Sequence, residues 1–214
     1  IFVFSKISED KSLDENSIND VLKRLYKSGF FKDVSVKIEN NNLTIDVIEN
    51  PIIQTVFIEG IKRKKTEKNL YKALSLKNRS SFNSNLVKKD EAVILAFLKN
   101  QGYYFSDIIT STQSLGDNKI NLIYKINLGN KAKISKISFI GDKKFKDSTL
   151  KGIILSEEYK FWKIISGKKY LNEDLINFDK RLMNNFYKNK GYYNIKIGSS
   201  FANYLGNSEF ELIY

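Results

Sequence analysis

Apolar positions along this chain switch repeatedly between two spacings. A helical spacing of three or four residues runs up to a glycine, two aromatic residues follow, and a spacing of two takes over. This succession predicts a helix that ends at a glycine with left-handed backbone angles and is followed by a strand. The turn glycines of its three copies are Gly29, Gly102 and Gly191. Three copies indicate a repeat protein.

The same order of elements lies between successive copies. Each unit opens with a strand that ends at a glycine, Gly60 in one unit and Gly141 in the next. Pro51 stands just before the first of these strands, where its missing N–H is tolerated. In the unit that starts at Pro51 the predicted elements are strand 52–58, helices at 67–76 and about 86–98, and strands 103–113 and 120–126. In the next unit they are strand 134–140, helix 147–155, a helix capped by Asn172 and ended by Gly191, and strands 192–203 and 210–214.

The beginning of the chain contains only part of such a unit. A helix capped by Asp14 or Asn16 leads to Gly29, and alternating positions around an asparagine turn at 40–42 predict a hairpin. The opening strand and most of the first helix are missing from this part. We therefore expect that the chain begins inside a unit and comes from a longer protein. The expected domains are 1–50, 51–130 and 131–214.

Each predicted helix has one apolar stripe, so both helices of a unit must cover the same face of its sheet. The other sheet face carries polar residues, such as Ser35, Lys37, Thr44 and Asp46, and is expected to meet solvent or a partner. Trp162 is interpreted as packing against the helix pair of its own unit, with a contact to another domain or a partner as the alternative. The stripe of the last helix consists of Leu175, Phe178, Leu182, Met183 and Phe186.

Composition narrows the possible functions. The 214 residues include neither cysteine nor histidine, which removes disulfides, thiolate metal sites and the usual catalytic base near pH 7. No catalytic motif or phosphate-binding glycine loop is found, so we expect no enzyme activity, no cofactor and no metal site. No segment approaches the ~18 apolar residues of a membrane-spanning helix.

The net charge of +12 has two interpretations. It could attract an acidic partner, such as nucleic acid, anionic lipid or an acidic protein. It could also be compositional, because the lysines are spread along the chain with isoleucine and asparagine, and we favour this second interpretation. The densest run, at residues 62–65, is expected to be a solvated turn. The aromatic pairs that follow the turn glycines could stack on nucleobases, but packing at a strand start explains them better.

The order of elements, the Gly-aromatic-aromatic turn and the strands closed by Gly60 and Gly141 resemble POTRA domains. The segment 25–60 is similar to the junction of the first two POTRA domains in the BamA family of outer-membrane protein assembly factors, and segment 161–170 resembles a Trp-containing loop of the third. The residues that carry the first similarity are Leu25, Tyr26, Gly29, Phe31, Asp33, Val34, Val36, Glu49, Pro51, Ile53 and Gly60. The resemblance implies an α+β fold of tandem β-α-α-β-β repeats, each a three-stranded mixed sheet with two helices on one face.

The resemblance also implies a function. The chain would be a periplasmic arm, attached to the outer membrane through a C-terminal barrel that this chain lacks. It would bind unfolded outer-membrane proteins, a periplasmic chaperone and accessory lipoproteins of the assembly complex by β-augmentation, and no nucleic acid. The second strand of each unit would be the binding edge, at about 33–38, 103–113 and 192–203, with Gly198 marking a bulge and Lys37 and Lys196 as possible guards against aggregation.

The expected binding residues are Val34, Ser35, Val36, Lys37 and Ile38 in the first unit, Ser106, Asp107, Ile108, Ile109 and Thr110 in the second, and Asn194, Ile195, Lys196, Ile197 and Gly198 in the third. Expected structural residues are Gly29, Gly60, Gly102, Gly141, Gly191, Pro51 and Trp162. Two alternatives stay open: the arm of a related transporter, TamA-like or of two-partner secretion, and a basic nucleic-acid-binding repeat protein.

Overall fold

The computed structural model describes residues 1, 5, 15–39, 42–141, 143–162, 166–198 and 200–214. Within these residues the helices are α1 (Glu15–Lys27), α2 (Lys64–Ala73), α3 (Ser84–Asn100), α4 (Asp147–Ile153) and α5 (Glu173–Asn189). The strands are β1 (Phe31–Glu39), β2 (Asn42–Glu49), β3 (Ile52–Glu59), β4 (Asp107–Gly116), β5 (Lys119–Asn127), β6 (Lys133–Ser138), β7 (Phe201–Gly206) and β8 (Glu209–Ile213).

The predicted repeat order is confirmed in the second and third units. The second unit has the element order β3, α2, α3, β4, β5, and its strands form a sheet in the order β3-β5-β4. The third unit has the element order β6, α4, α5, β7, β8, and its strands form a sheet in the order β6-β8-β7. In each sheet the first strand runs parallel to the last, which lies in the centre. The register of both parallel pairs shifts at the same place, between Ile53 and Thr55 and between Ile134 and Lys136. The strand before each helix pair is therefore built alike.

The first unit contains α1 and the antiparallel hairpin of β1 and β2. The positions Ser35, Lys37, Thr44 and Asp46 are exposed, as predicted. Asp14 and residues 40 and 41 lie outside the described residues, and Asn42 is the first residue of β2. The prediction of Asn16 as a helix cap is wrong, because α1 already begins at Glu15.

The chain divides into two compact units, residues 1–93 with 109–125 and residues 94–108 with 126–214. This division follows spatial contacts and passes through α3, whereas the division at residues 50 and 130 follows the sequence repeat. The three predicted domain ranges stay a prediction.

Buried residues form a core beneath each sheet. In the first compact unit, buried side chains include Leu25 and Val34 of the first repeat, and Ile53, Leu70, Leu76, Leu122 and Tyr124 of the second. Val56 and Ile58 lie buried on one face of β3. The core of the third repeat contains Ala132, Ile134, Ile137, Phe139, Leu150, Ile154, Leu171, Ile176, Met183, Tyr187, Leu212 and Tyr214.

The predicted buried stripe of the last helix is partly wrong. Of its five members only Met183 is buried, and Phe178 is 39% exposed. The helix turns a neighbouring face to the sheet, consisting of Ile176, Asp179, Met183 and Tyr187. A carboxylate therefore occupies a core position, which an apolar pattern cannot predict.

This buried aspartate occurs in both complete repeats. Asp90 accepts hydrogen bonds from the backbone N–H groups of Ser75 (2.6 Å) and Leu76 (2.9 Å) and from the Tyr124 hydroxyl (3.3 Å). Asp179 accepts the same three bonds from Leu155 (2.6 Å), Ser156 (3.1 Å) and Tyr214 (2.7 Å). Each carboxylate thus connects the segment after the first helix, the second helix and the central strand. We call these two arrangements the aspartate clamps.

The boundaries of three elements differ from the predictions. α2 begins at Lys64, three residues earlier than predicted, so the basic run 62–65 is exposed but only partly a turn. Ala73, the last residue of α2, is exposed. β4 begins at Asp107 and β7 at Phe201, because the aromatic residues after each turn glycine form turns before the strand starts.

The glycines predicted to close helices and strands have left-handed backbone angles. The φ values are +74° at Gly29, +89° at Gly60, +89° at Gly102, +102° at Gly141 and +89° at Gly191. At Gly102 a Cβ atom would also lie 2.9 Å from the Cβ of Tyr170, so only glycine fits this turn. Asn172 caps α5 by accepting the Leu175 N–H at 2.8 Å, as predicted, and Pro51 directly precedes β3.

The packing predictions for the aromatic residues are only partly correct. Phe31 is buried, but Tyr193 is 76% exposed. Trp162, expected to pack against its own helix pair, is 62% exposed. Its ring contacts Phe161 instead, edge to face at 4.7 Å between centroids.

Candidate functional site

The structure distributes the predicted binding residues over two kinds of backbone. Val34 to Ile38 lie in β1 and Asp107 to Thr110 in β4, and Ser106 directly precedes β4. The placement of Asn194 to Gly198 in the third edge strand is wrong, because these residues come before β7. Ile195 and Ile197 pack against the core of the third repeat, so Gly198 is no strand bulge and Lys196 does not guard β7.

In each unit the strand that follows the helices lies at a sheet edge. These strands are β1 in a two-stranded sheet, β4 beside β5, and β7 beside β8. An edge strand has backbone N–H and C=O groups on one side that can bind an added strand. The three edges differ in what covers those groups.

The β1 edge is partly occupied by a side chain of α1. The Val34 N–H donates to the Tyr26 hydroxyl at 3.2 Å and to the Asp33 carboxylate at 3.0 Å. The Tyr26 hydroxyl in turn donates to Asp33 at 3.0 Å. An incoming strand would have to displace these contacts before it could bind Val34.

The β4 edge is connected to the helix behind it. The Thr110 hydroxyl donates to Glu91 of α3 at 2.5 Å. The central residues of this strand are polar and exposed, since Thr110 is followed by Ser111, Thr112, Gln113 and Ser114. Thus β4 offers backbone groups and two exposed aliphatic side chains, Ile109 and Leu115, but no aromatic ring.

The β7 edge borders an open groove of about 550 Å³ between the strand and α5, which we call the β7 groove. Two residues of this groove, Ser200 and Lys180, are at the positions in the third repeat that are equivalent to Thr110 and Glu91 in the second. The groove is lined by Tyr104, Leu171, Glu173, Ile176, Asn177, Lys180, Ser200, Phe201, Ala202 and Phe210. Such a groove can hold the side chains that an added strand points toward the helix.

Aromatic rings form one side of this region. Tyr204 of β7 lies 5.1 Å from Phe210 and 5.7 Å from Phe105, measured between ring centroids. Tyr104 lies 6.3 Å from Phe210. Phe201 and Tyr204 are each about half exposed, at 49% and 54%. The third edge therefore combines edge-strand backbone with aromatic surface, whereas β4 exposes only aliphatic and polar side chains.

The Tyr104 hydroxyl is a buried polar atom in the lining of the groove. It has no hydrogen-bond partner among the described residues. Burial, with the nearby carboxylates of Glu173 and Asp174, raises the pKa of Tyr104 to about 12. The hydroxyl is thus protonated at neutral pH and can donate a hydrogen bond to a ligand.

Little in the amino-acid sequence predicts this groove. A weak signal is the contrast between 110–114 and 200–204, which lie at equal distances before Gly116 and Gly206, since two polar residues of the first segment are aromatic in the second. Within the described residues, no helix is long and apolar enough to cross a membrane, and no group of three or more acidic side chains could hold a metal ion.

A protein-family model matches this chain over two ranges. The model of the family "POTRA: Surface antigen variable number repeat" matches residues 51–129 and 132–207. These ranges cover the second and third repeats and together make up more than half of the chain.

Curated relatives match over almost the whole chain. The outer membrane protein assembly factor BamA of Neisseria meningitidis serogroup B is 26% identical over 200 residues, 92% of this chain and 25% of the relative. BamA of Nitratidesulfovibrio vulgaris is 25% identical over 197 residues, 90% of this chain and 25% of the relative. The chain thus spans about a quarter of the length of these relatives. Among solved structures, BamA from Haemophilus ducreyi lacking POTRA domains 1–3 matches 76% of this chain and 28% of that chain, with 18% identity and a TM-score of 0.49.

Proposed function

This chain belongs to the POTRA family, and on that premise we propose that it is a periplasmic docking arm of an outer-membrane protein assembly machine. It acts as a binding scaffold and carries out no chemistry of its own. Its clients are unfolded outer-membrane proteins, and a periplasmic chaperone and accessory lipoproteins are further partners. The parent protein is held in the outer membrane by a barrel outside this chain.

The observation that carries the proposal is the β7 edge with its groove. An extended peptide added to β7 would form backbone hydrogen bonds that do not depend on its sequence. Every second side chain of that peptide would point toward α5, where the groove presents Ile176, Ala202 and Phe210. Alternating apolar residues are typical of membrane β-strands. The β7 edge therefore suits this class of client.

The other two edges are weaker candidates. At β1 an added strand must compete with Tyr26 for the Val34 N–H. At β4 the Thr110–Glu91 bond connects the strand to the helix, and an added strand would have to accommodate it. The predicted binding residues in these strands remain part of the proposal as secondary sites, and β7 replaces residues 194–198 as the main site.

Cross-linking tests this proposal, because the chain has no cysteine of its own. We would compare Asn203→Cys in β7 with Gln113→Cys at the equivalent exposed position of β4. The probe is a peptide of alternating apolar and polar residues from a membrane β-strand, with one cysteine at its centre that is activated as a mixed disulfide with thionitrobenzoate, so that the protein thiol displaces thionitrobenzoate. Strand addition at β7 predicts rapid disulfide formation with the first variant and at least about tenfold slower formation with the second.

A peptide of the same composition with proline at every second position serves as the control, because it cannot pair along a strand edge. Equal rates at both positions, or equal rates with the proline peptide, would show that β7 does not bind by strand addition. The same reaction in increasing salt separates strand addition from an electrostatic attraction of nucleic-acid type, which weakens steeply with salt.

A further inference from the structure

The loop between α4 and α5 exposes a tip of three residues: Lys160, Phe161 and Trp162. Phe161 is 78% exposed and Trp162 62% exposed. The two rings contact each other edge to face at 4.7 Å, and the Lys160 ammonium lies 5.6 Å from the centre of the Trp162 ring. We call this surface the aromatic tip.

The base of the tip is firmly held. The Tyr159 N–H donates to the carbonyl of Ile134 in β6 at 2.6 Å, and the Glu157 N–H donates to the carbonyl of Lys168 at 3.0 Å. The Tyr159 ring lies between the ammonium groups of Lys133, at 4.6 Å, and Lys169, at 4.9 Å. Backbone bonds and stacked side chains thus fix Tyr159, and the three residues after it project outward.

The composition of the tip points to a particular partner. Tryptophan has an apolar ring and a polar N–H, so it favours the boundary between lipid chains and headgroups. Lysine beside it attracts anionic headgroups. Glu158, the nearest described carboxylate in sequence, forms its ion pair with Lys151 at 2.6 Å, and its electrostatic interaction with Lys160 is the smallest of those that lower the pKa of Glu158.

We propose that the aromatic tip inserts into the surface of an anionic phospholipid membrane. Two exposed rings and one cation are enough to anchor in a headgroup layer, whereas a protein interface normally buries about 800 Å² per partner. A fluid headgroup layer can close around such a tip. The positive charge of Lys160, beside the two rings, complements an anionic surface. This contact goes beyond client docking and does not depend on the β7 groove.

The single tryptophan provides the measurement, because Trp162 alone reports its own environment. The probes are vesicles of phosphatidylcholine with phosphatidylglycerol and vesicles of phosphatidylcholine alone. Insertion predicts a blue shift of tryptophan emission with the anionic vesicles, protection from aqueous iodide and quenching by brominated lipid chains. Flotation of the chain with the vesicles measures binding independently of fluorescence.

Variants locate the contact. Flotation should be lost in the double variant Phe161→Ser, Trp162→Ser, and should weaken about fivefold in Lys160→Ser. The variant Tyr193→Ser removes another exposed aromatic residue, 76% exposed, and should bind as the unchanged chain does. Circular dichroism checks that each variant is folded.

Several results would overturn the proposal. These are an unchanged emission spectrum with anionic vesicles, equal binding to neutral vesicles, or an equal loss of flotation in Tyr193→Ser. A blue shift produced by an unfolded membrane-protein peptide but not by vesicles would assign the tip to a protein partner and equally reject the membrane. Cross-linking at Asn203→Cys is independent of all these outcomes.

Discussion

The second and third repeats have the same core and different edges. Both contain a parallel pair of strands with the same register shift, and both contain an aspartate clamp. Their edge strands differ at equivalent positions, where Ser111 and Ser114 correspond to Phe201 and Tyr204. Core residues touch many neighbours and change at a high cost in stability, whereas an edge strand can change with little effect on folding. The comparison therefore separates residues that maintain the fold from residues that choose a partner.

The aspartate clamps test the common part of this comparison, and their removal is expected to have the largest effect. Asp90→Ala and Asp179→Ala each leave two buried backbone N–H groups and a buried tyrosine hydroxyl without an acceptor. We expect a loss of about 3–5 kcal/mol in the free energy of unfolding, measured by urea denaturation. Asp46→Ala, on the exposed face of β2, is the control and should change it by less than about 0.5 kcal/mol. A loss at Asp90 no larger than at Asp46 would refute the clamp.

The edges can be exchanged between the repeats. The double variant Lys180→Glu, Ser200→Thr places in the β7 groove the pair that connects Glu91 to Thr110 in the second repeat. We expect it to close the groove and to weaken peptide binding at β7 about tenfold, equivalent to ~1.4 kcal/mol. Fluorescence anisotropy of a labelled peptide measures the affinity.

The reverse exchange is the matched control for this prediction. Glu91→Lys with Thr110→Ser should open the second edge without adding aromatic surface, so binding at β4 should rise only slightly. Unchanged affinity in the first variant would mean that the groove does not hold the peptide side chains.

In the two aspartate clamps the tyrosine hydroxyl lies at different distances from the aspartate. This difference allows a finer comparison of the two repeats. The Tyr214 hydroxyl lies 2.7 Å from Asp179, and the Tyr124 hydroxyl lies 3.3 Å from Asp90. Tyr214→Phe should therefore lower the free energy of unfolding by about 1 kcal/mol, and Tyr124→Phe by less. Urea denaturation of both variants side by side checks the order. The reverse order would show that distance does not rank these bonds.

Burial, together with the neighbouring aspartate, raises the pKa of both tyrosines above the ordinary value of 10.0. The stability that depends on the protonated hydroxyl is then fully present below about pH 10 and is lost as the pH rises further, when the unfolded chain ionises. The Tyr214→Phe variant should show a smaller alkaline loss than the unchanged chain.

The smallest expected effect is on the free energy of unfolding at acid pH. Glu211 accepts bonds from Lys136 at 2.8 Å and from Ser138 at 2.5 Å, and these bonds lower the pKa of Glu211. In the second repeat Thr55 and Asn121 occupy the equivalent pair of positions. Because the pKa of Glu211 is lowered, its contribution is present above about pH 4.5 and is lost as the pH falls below that value.

The pKa of Glu158 is shifted in the same direction. Burial alone would raise its pKa, but the bonds from Lys151 and from the Ile137 N–H outweigh burial and lower it. Glu211→Gln combined with Glu158→Gln should therefore reduce the acid dependence of the urea midpoint. Glu59→Gln, exposed at the end of β3, is the control. An equal reduction of the acid dependence in this variant would contradict the role assigned to the two bonded carboxylates.

Residues with a local signal were predicted well. The positive φ of Gly102, the cap at Asn172 and the start of β3 after Pro51 depend on the backbone preferences of single residues and their near neighbours. The start of β7 was missed by several residues, because Ile195 and Ile197 alternate like a strand yet pack against the core without a strand partner. A pattern of period two indicates one buried side of a segment but cannot indicate whether another strand lies beside it.

The sequence by itself determined the repeat, its order of elements and the glycines that end its helices, because each of these depends on contacts a few residues apart. The tertiary structure alone decided that Asp90 and Asp179 are buried, that Trp162 is exposed and that β7 borders an open groove. These properties arise when segments far apart in the chain meet. The hydrogen-bond partners of Asp179 lie 23 to 35 residues away in the chain, and no local pattern records them.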